Sequence, residues 1–173
     1  PELLHNLCEI DGLRWIRILY CYPEEITDEL IQMIREEKKI CHYLDLPIQH
    51  ASDAVLRRMG RRTNEEKLRE MIGRLRQEIP DICLRTTLIT GFPGETQEDY
   101  EELYRFVNEM EFDRLGVFPY SPEEGTPAAE MEEQVPESVK CARRDELMEL
   151  QQEIAFEKAE QTAKEAPVLE AFI

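Results

Sequence analysis

The chain has 173 residues, 42% of them apolar, with 21 basic against 38 acidic side chains and a net charge of −17. That suffices for one domain with a real core, while no apolar run approaches the ~18 residues of a membrane span and no secretory signal opens the chain. The acid excess opposes binding of a bare phosphate backbone and favours a basic protein partner, besides its plain effect on solubility.

The chain opens inside a helical pattern, Glu2 to Glu9, which marks it as an expected fragment. Trp15–Tyr20 reads as a strand that Pro23 breaks. Thr27 caps a helix running to about Lys38, with Leu30, Ile31 and Ile34 on one face. Tyr43–Ile48 is the second predicted strand. Ser52 begins a short helix carrying Val55, Leu56 and Met59, ended by Gly60. Thr63-x-x-Glu66 has the form of a capping box and opens a helix with Leu68, Met71, Ile72 and Leu75, which Pro80 stops. Cys83–Thr90 is the third strand. Thr96-x-x-Asp99 caps a helix that turns Leu103, Phe106, Val107 and Met110 inward, and Arg114–Phe118 is the fourth strand. Strand starts at about residues 15, 43, 84 and 115, spaced by 28, 41 and 31 residues, have the rhythm of β/α units, hence parallel strands joined by right-handed crossovers. Ser121–Pro136 is acidic, holds Pro122, Pro127 and Pro136, and reads as an extended connection. Ser138 to about Ala166 reads as one long polar helix marked by Val139, Leu147, Leu150 and Ile154, and Pro167–Ile173 as a short terminal strand.

Five cysteines at 8, 21, 41, 83 and 141 leave gaps of 13, 20, 42 and 58 residues, so no pair has the short spacing of a zinc or cluster site. Free thiols in a reducing cytoplasm are the expectation. His5, His42 and His50 are too scattered to build a metal site, and no catalytic or metal-ligating residue is expected in the chain itself.

The candidate site is the I-T-G-F-P-G-E-T turn at Ile89–Thr96. Gly91 and Gly94 allow backbone angles that other residues avoid and let a ligand approach the main chain. Sites of β/α folds sit at the carboxyl ends of parallel strands. Gln49 and His50 close the second strand, and Phe118 and Tyr120 close the fourth, where a planar base could stack. Alternation sets Ile16, Ile18 and Tyr20 on one face of the first strand and Arg17 on the other. It likewise opposes Asp45 to Leu44 and Leu46, and Arg85 and Thr87 to Leu84 and Leu88. Arg17, Asp45 and Arg85 then point into a barrel, where lone charges need partners. Two readings stand open: a structural Arg17–Asp45–Arg85 network, or an arginine kept for a ligand carboxylate.

Y-L-D-L-P-I-Q-H at Tyr43–His50, V-L-R-R-M-G-R-R-T at Val55–Thr63, L-I-T-G-F-P-G-E-T at Leu88–Thr96 and F-D-R-L-G-V-F-P-Y-S-P-E-E-G-T-P-A at Phe112–Ala128 together resemble the radical S-adenosylmethionine methylthiotransferases. Y-P-E-E-I-T-D-E-L at Tyr22–Leu30 fits as well. Within that group the match is to the branch (RimO type) that modifies an aspartate of small-subunit ribosomal protein S-twelve. The tRNA-modifying MiaB branch usually reads Q-S-G-S where this chain has Gln49-His50-Ala51-Ser52, and tends to lack the doubled Arg61–Arg62. The resemblance implies an α/β fold, the latter four strands of a six-stranded parallel β/α barrel over residues 1–136. Residues 137–173 would be a C-terminal helix and the start of a linker or TRAM-type strand. It implies S-adenosylmethionine lying against a 4Fe-4S cluster, cleaved to a radical that abstracts hydrogen from the substrate carbon. Gly91, Phe92, Pro93, Gly94 and Glu95 would pack near the nucleoside, Arg85 near the methionine end, and Phe118 and Tyr120 beside the adenine, with Gln49, His50 and Thr87 at the same mouth. The family's C-x-x-x-C-x-x-C loop is absent from this sequence, so the stretch alone is expected to bind no catalytic cluster and to be inactive. Its first strand should lack a neighbour, an edge that invites self-association. The alternatives are a MiaB-type tRNA enzyme and a non-catalytic interaction module.

Overall fold

The computed structural model describes residues 1–165 together with Pro167 and Val168. Four strands, β1 (Ile16–Ile18), β2 (Ile40–Asp45), β3 (Cys83–Thr90) and β4 (Arg114–Pro119), form one sheet in chain order. All three pairings are parallel, as the spacing of the strands requires. The helices are α1 (Glu2–Cys8), α2 (Asp28–Glu36), α3 (Asp53–Arg58), α4 (Glu65–Glu78), α5 (Gln97–Met110) and α6 (Glu137–Glu165).

Alternation decides which face is covered. Leu44, Leu84, Leu88 and Val117 pack outward against Ile31 and Ile34 of α2, Leu68, Ile72 and Leu75 of α4, Leu103, Phe106 and Val107 of α5, and Leu147, Leu150 and Ile154 of α6. The other face carries Arg17, Tyr43, Asp45, Arg85, Thr87 and Phe118. The long α6 lies across β3, β4 and α5. Side chains cap the starts of α2, α4 and α5. Thr27 Oγ1 accepts the Leu30 N–H at 3.2 Å. Thr96 Oγ1 accepts the Asp99 N–H at 3.1 Å while the Asp99 carboxylate accepts the Thr96 N–H at 2.9 Å, a full capping box.

Several boundaries differ from the sequence reading. β2 starts at Ile40 rather than Tyr43, because buried Ile40 pairs with Ile16. It ends at Asp45 because Pro47 has no N–H to give; beyond it, single bonds from Leu46 N–H to Arg85 O (2.8 Å) and Gln49 N–H to Thr87 O (3.0 Å) continue the contact. β1 keeps three residues, with an irregular register between Ile16 and Ile18. Tyr20 turns out of it at φ 63° and is 70% exposed, so it does not share the buried face of Ile16. The cap of α4 is Asn64 and not Thr63: Asn64 is the extended residue directly before the first turn, and its Oδ1 accepts the Lys67 N–H at 2.9 Å. The expected extended connection contains a 3-10 turn at Pro127–Glu130, capped by Thr126. Of the terminal strand expected at Pro167–Ile173, Pro167 and Val168 are exposed coil and the rest lies outside the described residues.

Candidate functional site

The turn after β3 is built around Glu95. Gly91 (φ 70°) and Gly94 (φ 81°) take the left-handed region, and the chain folds back so that the buried Glu95 carboxylate accepts the Gly91 N–H at 2.8 Å. Its other oxygen takes the Arg143 guanidinium of α6 at 2.6 Å. His50 is fully buried beside it. Its Nδ1 accepts the Ser52 N–H at 3.0 Å, so the ring carries hydrogen at Nε2, 3.3 Å from the same carboxylate but outside hydrogen-bond geometry. Pro93 is buried as well. A Cβ on Gly91 would collide with the Lys140 stem, and one on Gly94 with the Arg58 guanidinium. Lys140 Nζ donates to Tyr120 O at 2.9 Å, and the Thr90 hydroxyl donates to Lys140 O at 3.1 Å. Thus His50, Gly91, Pro93 and Glu95 form a sealed seam between the sheet and α6.

Arg85, Thr87 and Phe118 belong to the open face instead. Arg85 Nη1 donates to both Asp45 oxygens, at 2.7 and 2.8 Å, and to Thr87 Oγ1 at 3.2 Å. The three-membered network is not formed. The irregular register of β1 sets Arg17 over the Tyr43 ring, 3.8 Å from its centroid, rather than beside Asp45. Phe118, paired with Ile89, is 57% exposed, whereas Tyr120 is buried edge-on against Phe92 with ring centroids 5.3 Å apart. Only the first of these two aromatics offers a face to solvent.

Between the two groups lies a cleft of about 500 Å³ lined by Gln49, Arg61, Ile89, Phe92, Ala128 and Met131, of the size and apolar character of a small-molecule site. Gln49 stands at its rim in a left-handed conformation (φ 70°), held there by the bridge to Leu88. Its buried Oε1 and the buried Arg61 Nε have no hydrogen-bond partner in the protein. Such atoms are what a polar ligand would satisfy. Cys21 donates its N–H to Asp45 O at 2.9 Å, and burial, then the Asp45 charge, pushes its thiol up, away from the reactive thiolate. Among the described residues no group of three His, Cys, Asp or Glu could hold a metal ion, and no helix is long and apolar enough to cross a membrane.

The sequence reading missed Lys140, Arg143 and Arg61. The signal for the first two was there: they stand two turns and one turn before Leu147 on the stripe that continues through Leu150 and Ile154. A stripe marked by apolar residues alone leaves its cations out.

Residues 1–107 match the family model described as the radical SAM superfamily. Among curated proteins, the chain is 68% identical over 160 residues to a protein of Lachnoclostridium phytofermentans named "Ribosomal protein uS12 methylthiotransferase RimO", covering 92% of this chain and 36% of that one. Proteins of the same name from Geobacter sulfurreducens (60% over 156 residues, 90% and 35% covered) and Alkaliphilus oremlandii (53% over 161 residues, 93% and 37% covered) match as well. The chain therefore spans about a third of the length of these relatives. Among solved structures, the crystal structure of Streptococcus suis SuiB bound to precursor peptide SuiA shares the fold, with a TM-score of 0.50 and 15% identity over 85% of this chain and 37% of that one.

Proposed function

The chain belongs to the radical SAM superfamily, and on that premise we propose that it carries the latter four strands of the six-stranded cofactor barrel of a cytoplasmic methylthiotransferase acting on an aspartate of ribosomal protein uS12. The observation that supports this reading most is the 68% identity over 160 residues to a protein bearing that name. The site chemistry agrees with a nucleoside cofactor. Gln49 Oε1 and Arg61 Nε await polar partners at the cleft, Phe92 of the Gly91–Gly94 turn lines it, and Phe118 offers a ring face on the open side of the sheet.

These residues would bind and orient S-adenosylmethionine, which when bound supplies radical chemistry at a reduced iron–sulfur cluster. Arg85 carries its charge at the open face with Asp45 as counter-ion, where it would meet the cofactor carboxylate. The described residues do not fit the cluster itself. Its three-cysteine loop would come from another part of the full-length protein, and this stretch alone would be inactive. As a separate piece it would also self-associate through β1, the end strand of the sheet. A clean monomer in size-exclusion chromatography speaks against that.

The test is mass spectrometry of ribosomal protein uS12 and of tRNA after incubation with the reconstituted full-length protein, S-adenosylmethionine and a reductant. A methylthio increment on an aspartate of uS12 is expected. Modification of tRNA alone would move the chain to the MiaB type, and modification of neither would favour an interaction module.

A further inference from the structure

We propose that Lys140 and Arg143 of α6 are positioning residues for the turn at Gly91–Glu95: they set its shape, and through it the affinity for S-adenosylmethionine, without touching the ligand. The proposal rests on the reading of the cleft given above. A turn with two glycines at positive φ has little of its own to hold it. Inside the turn the Glu95 N–H donates to Phe92 O at 2.9 Å and the Gly91 N–H to the Glu95 carboxylate at 2.8 Å, and outside it only backbone, Gly94 N–H to Glu133 O at 2.8 Å, adds to these; that carboxylate is buried, where a lone charge is costly. Arg143 Nη1 supplies the opposite charge at 2.6 Å, and its Nη2 reaches Gln97 Oε1 at 3.2 Å, so one guanidinium ties the turn to the first residue of α5. One turn of helix earlier, Lys140 braces both flanks. Its stem covers Gly91, its carbonyl accepts from Thr90 at the end of β3, and its ammonium donates to the Tyr120 carbonyl beyond β4.

Phe92 hangs between these fixed points, packs on Tyr120 and lines the cleft. A helix serving only to cover the sheet would carry apolar residues at 140 and 143, as it does at Leu147, Leu150 and Ile154. Cations this buried need matched partners. Arg143 finds its carboxylate in the turn, and Lys140 donates to the strand-end carbonyl of Tyr120 with Glu137 of its own helix 3.6 Å away.

The experiment uses the reconstituted full-length protein with S-adenosylmethionine as the probe, comparing K140M, R143M and R143K with R144A, a half-buried arginine on the same helix paired with Asp145. R143M and K140M should weaken equilibrium binding about tenfold, since a displaced positioning element acts on ligand geometry. They should raise KM by the same factor with kcat within about twofold of wild type. R143K should recover most of the loss, and R144A should bind as wild type. Folded R143M or K140M with unchanged affinity overturns the proposal, as does a loss confined to kcat. Should R143M fail to fold, wild-type affinity in both R143K and K140M overturns it. A wild type that binds no S-adenosylmethionine overturns the reading of the cleft instead. Hydrogen exchange at the Gly91 amide without ligand then decides the clamp: faster exchange in K140M and R143M supports it, and unchanged exchange overturns it.

Discussion

The sheet face and the seam under α6 each hold one arginine–carboxylate pair, and the two bonds are almost the same length: 2.7 Å for Arg85–Asp45 and 2.6 Å for Arg143–Glu95. Their surroundings differ. The Arg85 side chain keeps 32% of its exposure and Asp45 7%, against 9% for Arg143 and none for Glu95. Water can take over from a lost partner in the first pair, while in the second a lost partner strands a charge in the interior. Distance alone therefore says little about what a pair does. The seam is closed by protein on every side, while the open face leaves the Arg85 guanidinium within reach of solvent.

The sharpest way to break that contrast is to remove one carboxylate from each pair. Glu95→Ala leaves the buried Arg143 cation and the Gly91 N–H without their acceptor, and should cost about 3–5 kcal/mol in urea unfolding. Gly91→Ala comes next. The new Cβ must displace the buried Lys140 stem at a positive φ, for a loss of about 1–3 kcal/mol. Gly94→Ala shares the backbone strain but meets the end of Arg58, a half-exposed side chain that can swing aside, so about 1–2 kcal/mol is expected. Asp45→Asn on the open face should cost no more than about 1 kcal/mol by the same measurement. Equal losses for Glu95→Ala and Asp45→Asn would erase the distinction between the two regions.

The smallest effect is a pH dependence. Burial pushes the Asp99 carboxyl up, but hydrogen bonds from Ser52 and Thr96 outweigh it and hold the group below the usual aspartate value. A depressed folded value means that the ionised form is bound better in the native state. Its stabilisation is present above the unfolded pKa of about 4 and disappears as pH falls through the folded value. Asp99→Asn should flatten the acid limb of a thermal-stability profile below about pH 4 and leave the neutral region sloped as before.

The parallel sheet was legible because hydrophobic alternation and the helix starts agree: Cys83–Thr90 and the Thr96–Asp99 cap stand where the sequence places them. β2 was displaced because Ile40 and Cys41, just past a helix read as running to about Lys38, show no strand pattern of their own until β1 is there to pair with them. The candidate residues were gathered at one end of the sheet from strand order alone. Their division into an open face and a sealed seam was not legible, since it depends on α6 returning over residues 43 or more positions earlier in the chain. The turn's glycines announce a close approach but not by what: Gly91 is crowded by a lysine of the protein itself.

The pairing of Glu95 with Arg143 joins residues 48 apart, and the second partner belongs to the last helix of the described chain. During translation at about 5–20 residues per second, the glycine turn would emerge roughly 2–10 s before the arginine that braces it. Within that interval β4 emerges and the sheet gains its last strand while the mouth is still unfinished, so on the proposed reading of the cleft ligand competence would be acquired only when α6 clears the ribosome and docks.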